Sequence, residues 1–247
     1  MSYEFFPQVY DQLMDEELYD EWLSFTLSLI KQEGGKVLDL ACGTGEFLLR
    51  MKLAGFDASG VDLSSEMLNV AAKKFAQIEM EVPLYEQNMT TLNLPYQVDL
   101  VTCFCDSLNY LETEKDLDET LAAVYKTLSF QGIFLFDVHS IYKMDVGFKD
   151  YSYGDSDEFV ATIWNSFKGE FPHSVNHELT FFVEMEDGNY FRRDELHKER
   201  TYPVGVYIEK LSQAGFDKVE VFADFKKRKP DETSERIFFV AYKHFSR

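Results

Sequence analysis

Asp39, Asp62, Asn88, Asp106 and His139 each stand near or just past the end of a short strand-like run. A carboxylate in such a place can accept hydroxyl or amine hydrogens or stabilise a positive charge, and an imidazole can take a proton. Between the first two acids lies Gly43-Thr44-Gly45. Its glycines leave backbone N–H groups open to a ligand and allow positive φ. A dinucleotide turn reads Gly-x-Gly-x-x-Gly, but here Leu48 occupies the third glycine's place. Asp39, ahead of the turn, would repel a pyrophosphate and attract a cation. Asp62 is suitably placed to accept both ribose hydroxyls of an adenosine, a role an acid plays about 20 residues on in dinucleotide folds.

The elements that must position these residues follow from periodicity. Residues 36–41 read as a short buried strand and 46–53 as a helix, with 57–61 a second strand ending at Asp62. Ser64 or Ser65 caps a helix to about residue 77, with Met67, Leu68, Ala71 and Phe75 on one face. Strands are expected at 83–87, 98–105 and 133–138, with a helix at 115–128 striped by Leu117, Leu121, Val124 and Leu128. Strands alternating with helices imply an α/β fold whose parallel sheet is covered on both faces. Right-handed crossovers then put the strand C-termini on one edge, where ligands bind. Residues 39–45, Asp62, Asn88, Asp106 and His139 should gather there.

Residues 141–201 break the alternation. Aromatic and β-branched runs at 159–164, 178–186 and 189–193, with Asp187-Gly188-Asn189 as a hairpin turn, read as an antiparallel β insertion over the ligand edge. Pro203 opens a last helix, Gly215 closes it, and strands follow at 218–223 and 237–242. Residues 1–33 read as helices. Leu18, Trp22, Phe25 and Leu29 form a stripe expected to pack on the sheet, while Tyr10 suits either a lid residue or core. The expectation is one domain over 1–247, made of a helical lid at 1–33, a binding core at 36–140, the insertion, and 202–247 completing the core.

The chain has 247 residues and a formal net charge of −20, which disfavours nucleic acid and anionic membranes as partners. Its basic run, 226–229, reads as a solvated loop. Cysteines at 42, 103 and 105, without framework spacing, point to reduced thiols in a cytoplasmic protein. Cys103-x-Cys105, on a predicted strand, is not read as a metal pair, and no metal is expected. No signal peptide or apolar run of ~18 residues is evident.

Residues 37–45, Val-Leu-Asp-Leu-Ala-Cys-Gly-Thr-Gly, with 60–68, Gly-Val-Asp-Leu-Ser-Ser-Glu-Met-Leu, resemble class I S-adenosylmethionine-dependent methyltransferases. The likeness is to small bacterial members of uncharacterised substrate and, more distantly, to glycine and sarcosine N-methyltransferases. It implies a Rossmann-like, seven-stranded, mostly parallel sheet with its last strand antiparallel. It also implies S-adenosyl-L-methionine as cofactor. The backbone of Ala41, Cys42, Gly43 and Gly45 would wrap the methionine portion, with Asp39 toward its ammonium. Asp62 would hold the ribose, Leu63 and Met67 would flank the adenine, and Asn88, beside Met89, would face the adenine amine. Cys105 and Asp106 would lie beside the sulfonium, and Tyr10 matches a lid residue.

Methyl transfer from a sulfonium is an in-line displacement that positioning accelerates. A neutral amine acceptor needs orientation and a route for its proton; a hydroxyl needs a base. His139 and His197 are the candidate bases, each alternatively a structural hydrogen-bonder, and Asp106 could orient an amine. Arg200 could grip a substrate carboxylate near an aromatic wall of Trp164, Tyr190 and Tyr202, whereas Arg192 and Arg193 read as surface ion pairs with Asp194, Glu195 and Glu199. His173 and His177 lack a metal spacing. The reading is a methyltransferase for nitrogen or oxygen of a small molecule. The competing readings are a methyltransferase for RNA or protein, and a scaffold that keeps the fold without catalysis. A nicotinamide dehydrogenase is argued against by Leu48 and Asp39. A homodimer is compatible with the sequence.

Overall fold

The computed structural model describes residues 10–11, 14–30, 34–156, 160–185 and 187–245. Helix α1 (Glu16–Leu29) precedes strand β1 (Lys36–Leu40), helix α2 (Glu46–Leu53), β2 (Asp57–Asp62), α3 (Ser65–Gln77), β3 (Leu84–Glu86) and β4 (Val98–Cys103). Helix α4 (Glu114–Thr127), β5 (Leu128–His139), the insertion strands, α5 (Val204–Ala214), β10 (Lys218–Ala223) and β11 (Arg236–Tyr242) follow. The seven strands run in the order β10-β11-β5-β4-β1-β2-β3. β1 pairs in parallel with both β2 and β4, and β11 is antiparallel to both its neighbours. Strand order reverses between β1 and β4, so their C-terminal ends open the crevice where such sheets bind ligands.

β1 is buried after its first residue, as a central strand between two helical layers must be. Alternate side chains face opposite layers. Val37 packs with Trp22, Phe25, Phe47 and Met51 from α1 and α2, while Leu38 and Leu40 pack with Leu121 and Leu211 from α4 and α5. The expected Trp22 stripe is therefore core. Of the helical lid expected over 1–33, residues 1–9, 12–13 and 31–33 lie outside the described residues. Ser64, rather than Ser65, caps α3, its hydroxyl accepting from the Met67 N–H at 3.2 Å.

Two boundaries differ from expectation. β4 ends at Cys103, so Cys105 and Asp106 lie beyond it in left-handed backbone, φ 56° and 50°. β5 begins at Leu128 because its register against β4 shifts, accommodating an exposed stretch that no apolar pattern marks.

The insertion forms a separate antiparallel sheet, β6 (Ser152–Ser156), β7 (Val160–Lys168), β8 (Ser174–Glu184) and β9 (Tyr190–Arg200), in sequential order. The expected turn closes β8 and β9, with Gly188 at φ 77° and the Met185 N–H donating to the Asn189 carbonyl at 2.8 Å. β6 is exposed throughout, and its Ser-Tyr-Gly-Asp-Ser sequence carries no alternation to reveal it.

Candidate active site

At the end of β1, Ala41, Gly43 and Gly45 all take positive φ, at 60°, 53° and 80°. For Ala41 this is a strained conformation of the kind that functional sites retain. A Cβ built on Gly43 would meet nothing within 4 Å, so the turn presents bare backbone. Asp62, at the end of β2, accepts from the Gly43 N–H and the Ser64 N–H, each at 2.8 Å. Each bond takes a different oxygen, leaving lone pairs for further donors. Burial raises its pKa, although these N–H groups pull the other way. Leu48 fits in the absent third glycine's place because the opposing residue is Gly60. A Cβ there would lie 2.7 Å from Cys42 Sγ and from Leu48 Cδ2.

Asp39 lies buried under the turn, its carboxylate accepting from the Thr102 hydroxyl at 2.9 Å. Burial raises its pKa to about 7, outweighing that hydrogen bond. Leu63 is 66% exposed beside Asp62, and Met67 is half-buried. An apolar side chain so open next to an acid suits a flat ring with polar edges. Asn88 is not poised as expected: its side-chain carbonyl accepts from both the N–H and the hydroxyl of Thr90, each at 2.9 Å. Neighbouring Met89 is half-buried.

Tyr10 and Asp11 are held against this edge. The Thr44 hydroxyl donates to Asp11, which Lys74 Nζ also reaches at 2.8 Å, and Lys74 pairs with Glu46. Tyr10 sets its hydroxyl 3.5 Å from Cys105 Sγ. Two expected site residues thus meet across the crevice, and Asp11, which sequence reasoning missed, secures one of them.

Beyond Cys105 the site changes character. Arg236, on β11, donates to Asp106 Oδ1 at 3.0 Å and to Asp137 Oδ2, which also accepts from Trp22 Nε1 at 3.0 Å. The guanidinium lies 5.3 Å from the centre of the Trp22 ring. Burial would raise the Asp106 carboxyl, but His139 and Arg236 beside it hold it below the usual range. His139 Nε2 lies 3.3 Å from Asp106 Oδ1 and 3.8 Å from Glu199 Oε2. Its backbone is fixed by Asn109, whose side-chain oxygen accepts the His139 N–H at 2.9 Å, and by Thr201, which donates to its carbonyl at 2.6 Å.

β9 alternates, with Arg193, Glu195, His197 and Glu199 turned inward and Arg192, Asp194, Leu196 and Lys198 exposed. Glu199 is 5% exposed, and its Oε2 accepts no hydrogen bond of ordinary length among the described residues. Its Oε1 lies 3.7 Å from His177 Nε2. Burial pushes the Glu199 pKa well up and draws the imidazoles down, His139 to about 3 and His177 to about 4. Phe148 packs edgewise on both rings. Both histidines are therefore neutral at neutral pH, and His139 is a weak proton acceptor. Asp106, His139 and Glu199 bring ligand atoms within 4.8 Å of one another. Arg236 already supplies the positive charge at Asp106, so the donor set does not require a metal ion.

His197 stands at the margin, bonded to the Tyr110 hydroxyl and to Glu195, each at 3.0 Å. Arg192 is an exposed partner of Asp194, as expected. Arg200 packs on Phe171 and Tyr202 and donates to the Glu112 carbonyl at 3.1 Å. Tyr190 is 57% exposed at the far end of β9 and joins no aromatic wall with Trp164 and Tyr202. Sequence reasoning missed Glu199, His177, Asp137 and Arg236. Asp137 left one signal, a lone acid in the otherwise apolar run of β5.

Residues 37–132 match the family described as methyltransferase domain. Over 247 residues, spanning 98% of this chain and 100% of the relative, the chain is 46% identical to a protein of Geobacillus sp. (strain WCH70) that carries a methyltransferase name. It is 29% identical over 231 residues to the glycine/sarcosine N-methyltransferase of Aphanothece halophytica, spanning 89% of this chain and 80% of that one. A crystal structure of an S-adenosylmethionine-dependent methyltransferase from Clostridium acetobutylicum ATCC 824 superposes with a TM-score of 0.83 at 28% identity, covering 96% of this chain and 95% of that one.

Proposed function

The chain belongs to the S-adenosylmethionine-dependent methyltransferases, and from that premise we propose that it methylates nitrogen in a small-molecule amine. S-adenosylmethionine, when bound, supplies a methyl group on a sulfonium. The chain's own residues divide the remaining work. The turn at 41–45 offers backbone to the methionine portion, with Asp39 below it. Asp62 holds the ribose, Leu63 and Met67 flank the adenine, and Asn88 reaches the adenine only by exchanging its bonds to Thr90. Tyr10 and Asp11 border the crevice on the N-terminal side.

One observation carries the choice of an amine: past Cys105 the crevice meets Asp106, His139 and Glu199, all buried, with both neighbouring imidazoles neutral. Carboxylates accept N–H groups and stabilise the positive charge that nitrogen gains on methylation. A hydroxyl acceptor would need a strong base, and His139, drawn down by burial, is not one. The glycine/sarcosine N-methyltransferase likeness supports nitrogen as well. The antiparallel sheet beside this region and the −20 charge favour a small acceptor over a nucleic acid.

Formation of S-adenosylhomocysteine in the presence of a panel of small amines and alcohols tests the reading. Turnover is expected with amines and should change little as salt rises, because no phosphate contacts are broken. Turnover confined to alcohols, or to RNA with a steep salt dependence, would overturn it.

A further inference from the structure

We propose that Glu199 binds the acceptor's N–H and takes its proton, and that the acceptor is an amine with no carboxylate beside the reacting nitrogen. The proposal rests on the amine reading above and deepens it.

His177 packs beside Glu199. Its Nδ1 lies 3.0 Å from the Trp164 indole N–H, which can only donate, and 2.7 Å from the Ser166 hydroxyl. Nδ1 is therefore an acceptor, and the neutral ring carries its proton on Nε2, the atom facing Glu199 Oε1. At 3.7 Å that N–H is too far for a hydrogen bond, and His177 Nε2 is itself a buried group without a partner among the described residues. The other oxygen, Oε2, is buried and accepts no hydrogen bond of ordinary length among the described residues, while the Tyr110 hydroxyl interacts with this carboxylate and favours its charged form. A buried acceptor without an ordinary hydrogen bond is a site for a donor that arrives from outside. Across from it stand His139 and Asp106, which follows directly on Cys105, where Tyr10 closes the crevice.

Charge sets what the donor can carry. Arg236 is committed on both sides, to Asp106 and Asp137, with its flat face against Trp22. Arg200 follows Glu199 on β9 and so points to the opposite face, where Phe171, Tyr202 and the Glu112 carbonyl hold it. Arg193, on the inward face, stands beside Glu195. A carboxylate on the acceptor would therefore face Glu199 and Asp106, and among the described residues Arg236, Arg200 and Arg193 lie against other groups. An amino acid fits this place poorly, and an amino sugar or alkylamine fits it well.

The step balances on these groups. The nitrogen lone pair forms the N–C bond while the C–S bond breaks, its electron pair passing to sulfur. The nitrogen is left cationic, and one of its N–H protons passes to Glu199. The products are the neutral methylated amine, the thioether and a protonated Glu199, which returns its proton to solvent as product leaves. The step starts from the ionised carboxylate, and burial, which raises the Glu199 carboxyl, favours the protonated form in which it ends. The titratable or charged groups around it are Asp106, Tyr110, His139, His177, Glu195, His197 and Arg236.

The test uses the intact chain saturated with S-adenosylhomocysteine and amines matched by decarboxylation: cadaverine against lysine, tyramine against tyrosine, with D-glucosamine alongside. Melting temperature reads binding. At least one carboxylate-free amine should stabilise the complex, and the matched amino acids should not. Glu199→Gln should keep its stabilisation by S-adenosylhomocysteine and bind that amine roughly tenfold or more weakly. The acid limb of kcat for that amine should vanish in Glu199→Gln and survive, displaced, in Glu199→Asp. Equal or tighter binding of the amino acids would overturn the proposal, as would unchanged amine binding in Glu199→Gln or no binding by any amine. Failure of S-adenosylhomocysteine itself to stabilise the wild type would instead bring down the reading on which the proposal rests.

Discussion

The two halves of the crevice are built from different materials. The cofactor half is mostly backbone: a turn of small residues at positive φ, closed by Asp62 accepting two N–H groups. Its parts lie close together along the chain. The acceptor half is made of side chains from β5, β8, β9, β11 and the turn after β4, held by Arg236, Asn109 and Thr201. A binding surface made from backbone keeps its shape while its side chains change. One assembled from charged side chains changes its ligand when a single residue changes. The first half therefore tells what is common to a family, and the second tells what this chain acts on.

Substitutions can break or sharpen that contrast. Arg236→Ala should have the largest effect. It leaves Asp106 and the fully buried Asp137 without their counter-charge and should cost about 3–5 kcal/mol of stability, read by chemical denaturation. Asp62→Ala acts on the other half. Loss of a charged acceptor should weaken S-adenosylhomocysteine binding by roughly ten- to a hundredfold, measured by calorimetry. Gly60→Ala drives a methyl group against Cys42 and Leu48 and should lower stability by about 1–3 kcal/mol in denaturant titration.

Asp39 gives a pH test of the cofactor half. Its folded-state pKa of about 7 lies above the ordinary 3.8. As pH rises from about 4 to about 7 the unfolded chain loses this proton first. The folded state then holds more protons, so the stability of the ligand-free protein falls across that window. Asp39→Asn should flatten this part of the profile of Tm against pH. Arg192→Ala removes only an exposed pair with Asp194 and should change stability by about 0.5 kcal/mol or less in the same assay.

The same contrast explains what could be read from residues alone. β1, its turn, β2 and Asp62 were legible because local pattern determines them: an apolar run, glycines at a bend, an acid at a strand end. The β8–β9 turn was legible for the same reason. Glu199 was not. It sits among Arg192, Arg193, Asp194, Glu195 and Lys198, a stretch that reads as a solvated charged face. Only the alternation of β9 against β8, set by long-range register, turns Glu199 inward to His177. Asn88 differs in another way. Its place in the chain suggested a base contact, while its side chain bonds locally to Thr90. His139 stood out by its place after β5, but its weakness as a base depends on burial by Phe148 and its neighbours, which no spacing reveals.

Thermal stabilisation by S-adenosylhomocysteine, measured side by side on the wild type, Asp62→Ala and Glu199→Gln, tests the division into two halves most directly. At about 100 times its Kd the ligand should add roughly 2.7 kcal/mol to the wild type. Glu199→Gln should keep that gain and Asp62→Ala should lose most of it. Retention in Asp62→Ala, or loss in a folded Glu199→Gln, would contradict the account.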